Sequence, residues 1–494
     1  MSVRGAEIRE RSLETLGRRS FDLLVIGGGI VGARVALEAS RAGLRVALVD
    51  AGDFGGATSS ASGKLVHGGL RYLRTRRFRL VRAALRERSL LATRIAPHLV
   101  RPLPVLLYTE EAAWSRYLTA AGLLPYRALG CLRRPRLAAG AFRALPAGTR
   151  CGLVQEAVTD DGRLTLATVK AAVRAGTVAA NHVRVTALSK HRGKVSGAVL
   201  EGREGSFELH CRAVVNATGP WLDYLRLLED PRRQPAVRLS KGVHLVLPLE
   251  GEWRAAMALT LRDGRHVYAV PWHGTVLVGT TDTSYEGDPG SVVPTPTEEA
   301  YLLEAASRFL PNDLVRRDRV LCSFAGLRVL RPGHEPTFDA SREHLLSVGP
   351  AGMVSVAGGK LTTHRPIALD ALRALPSEVR PRRLHPCLDP LPGASPPDER
   401  ALRSTLDAAT ARHLAELYGG EAGDLLGYAA SFPEALDRVH PAGPDLWAQI
   451  HHAADEEWAV TAEDVTRRRT TLAVRGLDAE SVREGIAAVL AEGR

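Results

Sequence analysis

The sequence is short of cysteine, of lysine and of long apolar runs. Its five cysteines, Cys131, Cys151, Cys211, Cys322 and Cys387, stand far apart with no C-x-x-C pair. That spacing excludes a disulfide framework and a zinc site, and a reducing, cytoplasmic compartment is the simple reading. Nowhere do eighteen apolar residues run together, and the first twenty residues contain no apolar h-region. A spanning helix and a signal peptide are therefore not expected, and any membrane contact would be peripheral. There is no internal repeat and no low-complexity tract. Only six residues are lysine, against 60 arginines, yet three of the six, Lys64, Lys241 and Lys360, fall inside glycine-rich or motif-like runs. An ammonium is a compact point charge and not a substitute for the planar guanidinium, so those positions are candidates for function.

The 494 residues suffice for two or three domains, and a 45% apolar fraction is ordinary for globular protein. The net charge of +12 has two readings, a compositional habit or a basic patch for anionic lipid or substrate.

What the chain does contain is centred on residues 21–73. Phe21 and Leu23–Ile26 form an apolar run that enters Gly27, Gly29 and Gly32, the G-x-G-x-x-G spacing of a turn between a buried strand and a helix. Gly27 permits the tight turn, Gly29 the approach of a pyrophosphate, and Gly32 close helix–strand packing. A second strand, 45–49, ends on Asp50, whose carboxylate can accept from both hydroxyls of an unphosphorylated ribose. This favours FAD or NAD over NADP.

Farther along, 78–99 is patterned as a helix with nine arginines between Arg71 and Arg94. Residues 113–131 mix Trp114, Tyr117, Leu123, Leu124 and Tyr126 with arginine, which reads either as an interfacial segment or as a packed helix pair. Residues 1–20 read as a short docked helix or a frayed arm. A turn at 160–163 opens a helix over 164–175, and a strand over 182–188 follows. A buried strand then enters Asn216-Ala217-Thr218-Gly219. Residues 237–247 alternate, with Val237, Leu239, Val243, Leu245 and Leu247 on one face and His244 on the other. The runs 266–271 and 275–279 predict a hairpin around Trp272-His273-Gly274. Leu345 to Val356 predicts another, and Gly358-Gly359-Lys360-Leu361-Thr362 a strand-to-helix turn ready for an anion. A proline-rich stretch then leads to a helical C-terminal part.

Taken in order, the N-terminal turn, SSASGKLVHGGLRYL (59–73), NATGPW (216–221), KGVH (241–244), PW followed by GTTD (279–282), GLR (326–328), GGKLTT (358–363) and DVTRRRT (464–470) resemble the FAD-dependent, quinone-linked glycerol-3-phosphate dehydrogenase family. The resemblance implies a glutathione-reductase-type FAD-binding Rossmann domain, a D-amino-acid-oxidase-like antiparallel substrate domain and a C-terminal helical cap. On that basis 1–20 is an arm; 21–95, 152–222 and 345–372 bind FAD; 96–151 and 223–344 bind substrate; 373–397 is a linker; and 398–494 is the cap. It implies noncovalent FAD, oxidation of sn-glycerol 3-phosphate to dihydroxyacetone phosphate, a membrane quinone as acceptor, and a location at the inner face of the cell membrane. A homodimer is the oligomer held in view, and nucleic acid is not an expected partner.

By the same resemblance, Arg71, Tyr72, Arg328, Arg342 and Lys360 line the substrate, with Arg71, Arg328 and His244 in the catalytic group. His244 is the candidate base, since an imidazole can take a proton at neutral pH. Gly27, Gly29, Gly32, Asp50, Thr58, Ser59, Ser60, Ser62, Lys64, His67, Gly68, Gly219, Gly358, Gly359, Lys360, Leu361 and Thr362 are the candidate FAD residues, and no metal is expected. Lys64 reads equally as a surface charge. The chain departs from the family at Val31, Asp50, Gly63, Val329 and His364, of which Val329 bears most on substrate geometry. The alternatives are an oxidase of the same substrate using O₂ and a flavin-binding regulatory protein without turnover.

Overall fold

The computed structural model describes residues 3–70, 78–109, 123, 126, 152–251, 253–261, 264–337 and 340–491. Two sheets organise them. Strand β1 (Ser20–Ile26) is buried along nearly its whole length, as its unbroken apolar run requires. It lies between β2 (Val46–Val49) and β9 (Gly205–Asn216), parallel to both. With β3 (Leu65–Val66), β4 (Val100–Thr109), β5 (Gly152–Thr159), β6 (Val178–Ala180), β7 (Arg184–His191), β8 (Lys194–Gly202) and β10 (Arg238–Pro248) named in chain order, the first sheet continues from β2 to β6 and from β9 to the antiparallel pair β7 and β8. Its other edge is the hairpin β16 (Leu345–Val348) and β17 (Val354–Ala357). The helix Ile30–Arg41 packs against helices Asp161–Arg174 and His364–Arg373, and their apolar faces with β1 and β2 form the largest core.

The second sheet is mostly antiparallel. Strands β11 (Ala256–Thr260), β12 (His266–Trp272), β13 (Thr275–Gly279) and β14 (Thr283–Tyr285) join β10, β4, β5 and β3 in the order β14-β10-β13-β12-β11-β4-β5-β3, with β15 (Cys322–Leu330) on the free side of β10. The hairpin at 272–274 forms as the sequence predicts: His273 and Gly274 both take positive φ, the condition for a tight two-residue turn.

One sequence expectation changes. Strand β5 opens the 152–222 segment assigned to FAD binding, but it hydrogen-bonds to β4 and β3 in the second sheet. Its apolar pattern satisfies either sheet, so periodicity alone does not choose between them. Of the two readings of residues 1–20 the docked helix holds: Val3–Arg18 is helical, with Leu16 wholly buried and Gly5 against the carbonyl of Ala454. That carbonyl belongs to the helical C-terminal domain, built from Glu399–Thr405, Ala408–Tyr418, Trp447–Glu456, Ala462–Arg468 and Glu480–Ala491 around its own apolar clusters. Among the described residues no helix is long and apolar enough to cross a membrane.

Candidate active site

The glycine turn is dictated by contact distances. Gly27 has φ +105°, and a Cβ there would lie 2.5 Å from the carbonyl oxygen of Ala217; one on Gly32 would lie 1.8 Å from that of Gly27. Neither position tolerates a side chain, because the obstacle is backbone. Gly29 caps the helix Ile30–Arg41, and a Cβ there would lie 3.0 Å from the hydroxyl of Ser59, which accepts from the Ile30 N–H at 2.9 Å. Asp50 accepts from the N–H of Gly28 at 2.6 Å and of Gly52 at 2.9 Å. Burial outweighs these donors and pushes its carboxyl up to about 6.

From this turn a single cavity of about 1120 Å³ runs between the two sheets. Gly27, Gly29, Asp50, Thr58, Ser59, Ser62, His67 and Gly219 line one part of it, Gly358, Gly359, Lys360, Leu361 and Thr362 another, and His244, Arg328 and Arg342 the far end. Sixteen of the sequence-predicted residues thus share one space. Thr58 is tied to β15 through the Leu327 carbonyl at 2.7 Å, and Thr362 exchanges hydrogen bonds with the backbone of His67 at 3.2 Å, so the segment 58–68 is held from both sides.

Four of the predicted cofactor residues lie behind the wall. Gly32 serves packing. Ser60 gives its carbonyl to Lys64. Gly68 is pressed against Leu85 and Tyr126, and its N–H is accepted by Glu156. Lys64 is neither a surface charge nor a cavity residue: its ammonium is buried, 2.6 Å from Asp161 and 4.5 Å from the centre of the Trp272 ring. Asp161 also accepts from the hydroxyl of Ser62 at 2.6 Å, so the pair fixes the loop 60–64 from beneath. Arg71 and Tyr72, and all of the 113–131 stretch except Leu123 and Tyr126, lie outside the described residues.

At the far end the second sheet supplies the chemistry. Arg328 on β15 stands opposite Ser240 on β10. Its guanidinium donates to Thr280 Oγ1 at 2.7 Å and the Thr281 carbonyl at 3.1 Å, and lies 3.9 Å from Asp282. Arg342 donates to the same Asp282 at 3.0 Å. Burial would raise the Asp282 carboxyl, but Arg328 foremost, then the hydrogen bonds from Ser240 and Thr337 and the charge of Arg342, hold it below the ordinary range. Asp282 was not among the predicted site residues, although GTTD carried it. Asp282 stands between the two guanidiniums and sets both forks in place.

His244 is 4% exposed and stacked on Phe324, and its Nδ1 is buried without a hydrogen-bond partner. Burial first, then the positive charges of Arg328 and Lys64, lower its pKa to about 3. A Cβ on Gly63 would stand 3.4 Å from Nε2, so glycine there leaves that nitrogen clear.

These features fit an FAD: glycines at the places where a phosphate-bearing chain must approach the backbone, a half-buried carboxylate 21 positions beyond Gly29 facing the cavity for the ribose, and room above the ~300–1,000 Å³ common for ligand pockets, which leaves space for a small substrate. Comparison with known proteins agrees. Residues 22–365 match the FAD dependent oxidoreductase family, and 389–493 match the C-terminal domain of alpha-glycerophosphate oxidase. A glycerol-3-phosphate dehydrogenase of Mycobacterium leprae is 36% identical over 96% of this chain and 84% of its own. The crystal structure of glycerol-3-phosphate dehydrogenase from Bacillus halodurans complexed with FAD superposes with a TM-score of 0.74 at 28% identity, covering 100% of this chain and 97% of its own. L-alpha-glycerophosphate oxidase of Mycoplasma pneumoniae shares the fold at TM-score 0.55 and 19% identity, over 72% of this chain and 95% of its own.

Proposed function

Since the chain belongs to the family of FAD-dependent glycerol-3-phosphate dehydrogenases, we propose that it oxidises sn-glycerol 3-phosphate to dihydroxyacetone phosphate and delivers the electrons to a membrane quinone. The observation that carries this reading is the convergence of Arg328 and Arg342 on Asp282 at the end of the cavity that also presents His244.

FAD, when bound, supplies the hydride acceptor at its N5. The chain supplies the rest. Arg328 and Arg342 offer planar forks to a phosphate, in the arrangement that favours bidentate contact. His244, kept neutral by burial, takes the hydroxyl proton at Nε2 as the C–H bond breaks. A phosphate dianion beside Arg328 offsets the cationic field that depresses this imidazole, so substrate binding itself raises its basicity. Lys360 and the turn at Leu361–Thr363 bring positive charge and the N-terminus of the helix His364–Arg373 to the opposite wall, suited to the pyrimidine side of a reduced flavin. Arg71 and Tyr72 join the substrate site by resemblance. In domain terms, 21–95, 160–222 and 345–372 hold the cofactor, and β5 joins the substrate domain.

The protein's visible spectrum, recorded anaerobically before and after sn-glycerol 3-phosphate, tests the reading. Bleaching of the flavin bands supports it, and an unchanged oxidised spectrum refutes the substrate. Reoxidation by a quinone analogue without peroxide identifies the acceptor, whereas peroxide formed at the rate of dye reduction would assign O₂. The basic and aromatic stretch 113–131 supports docking at the inner face of the cell membrane.

A further inference from the structure

The cavity wall at the Asp50 end is completed by a different domain. Thr461, Glu463, Asp464 and Arg468, all C-terminal to residue 398, line it together with Asp53 and His182. The two residues that follow the ribose carboxylate by three and four positions are the docking points. Asp53 is gripped by Arg468 Nε and, through both of its oxygens, by Arg469, whose second guanidinium nitrogen is 2.7 Å away. Phe54 is wedged between Gly28, where a Cβ would lie 2.2 Å from its ring, and Trp458, whose ring it meets edge-on at 5.5 Å. Arg468 is held in turn by Asp464 at 2.9 Å, and Asp464 by His182 at 3.0 Å. Arg469 also donates to the Glu457 carbonyl at 2.6 Å, while Glu457 pairs with Arg163 of the helix Asp161–Arg174. The charges of Asp53, Asp464, Arg468 and Arg469 are buried and balance, so the cluster is a joint between domains. Three histidine or carboxylate groups here approach within metal-ligating range, but two arginines already occupy Asp53.

We propose that Arg468 is an FAD-contacting wall residue carried by the C-terminal domain, and that the Asp53–Arg468–Arg469 joint with Phe54–Trp458 couples cofactor occupancy to docking of that domain. The dinucleotide turn and the C-terminal domain share Asp53 and Phe54, so a ligand that fixes the turn also fixes the joint. By linkage the converse holds with the same factor: a joint that opens lowers FAD affinity. Arg468 is the residue suited to both tasks. Its fork is clamped between two carboxylates while its remaining surface faces the cavity.

The proposal rests on FAD as the cofactor and is independent of the substrate. It is tested on the full-length protein by FAD titration of the apo form and by amide hydrogen exchange with and without FAD. FAD is expected to slow exchange in 458–470 at least tenfold. Arg468→Ala is expected to raise the Kd for FAD at least tenfold, and Arg468→Lys to fall between. Should Arg468→Ala not fold, Arg468→Gln, which keeps most of the side chain's length without its charge, serves the same purpose. An Arg468→Ala protein that loses thermal stability in the apo form yet keeps its FAD affinity would overturn the contact, and exchange in 458–470 indifferent to FAD would overturn the coupling.

Discussion

Replacing Arg328 by alanine isolates what the phosphate contributes. The side chain leaves three partners, Thr280 Oγ1, the Thr281 carbonyl and Ser240 Oγ, and a neighbouring carboxylate, Asp282. A hydrogen bond to a charged group is worth ~1.5–3 kcal/mol, and about 1.4 kcal/mol is tenfold in an equilibrium constant. The loss in kcat/KM for sn-glycerol 3-phosphate is therefore roughly 10- to 150-fold. Arg328 also braces the loop 280–282, and that second loss would fall on any substrate. Comparing sn-glycerol 3-phosphate with glycerol separates the two effects, since glycerol has no phosphate to lose. Steady-state dye reduction, normalised to FAD content from absorbance, should show the full decrease with the phosphate ester and little with glycerol. Equal losses on both would refute the assignment of Arg328 to the phosphate and leave it a brace of the loop.

Asp50 gives a pH dependence. Its carboxyl titrates near 6 in the folded protein, above its ordinary value of about 3.9, so its contribution to stability declines as pH rises through that interval. Ribose hydroxyls donate to the ionised form, and FAD affinity should accordingly rise as pH increases through about 6. Titrations from pH 5 to 7.5 should show this slope in the native protein and lose it in Asp50→Asn; a slope that survives the substitution would assign it to another group. Lys64→Met strands the buried Asp161 carboxylate and should cost ~3–5 kcal/mol in urea unfolding, most of it restored by adding Asp161→Asn. Unchanged stability in Lys64→Met would show that the pair contributes nothing net.

The parts of the site that sequence reveals are those where backbone geometry leaves one residue type. Gly27 and Gly32 are spaced by collisions 2.5 and 1.8 Å away, and that constraint is written into the chain as a motif. His244 was legible through strand alternation, which put it on the face opposite Val243 and Leu245, the face that proves to border the cavity. Lys64 reads from sequence as a cofactor residue or a surface charge because its partner lies 97 positions on and no local pattern announces a buried ion pair. The sheet that takes β5 was invisible for the same reason, being decided by pairing with Val100–Leu107 across the intervening chain. The contribution of Arg468 to the cavity needed a contact to Asp53 across 415 positions, although the RRT run had marked the place.

The order of the strands also bears on synthesis. The glycine turn and Asp50 emerge early, but β1 has no partner on one side until residues 205–216 exist, and the edge beyond it waits for 354–357. The arginines that grip Asp53 come later still, at 468 and 469. At ~5–20 residues per second, tens of seconds separate the first half of the nucleotide turn from the last piece that encloses it. A nascent chain therefore holds an unclosed Rossmann edge until residues 354–357 are made, and enclosure of the cofactor waits for residues 468 and 469.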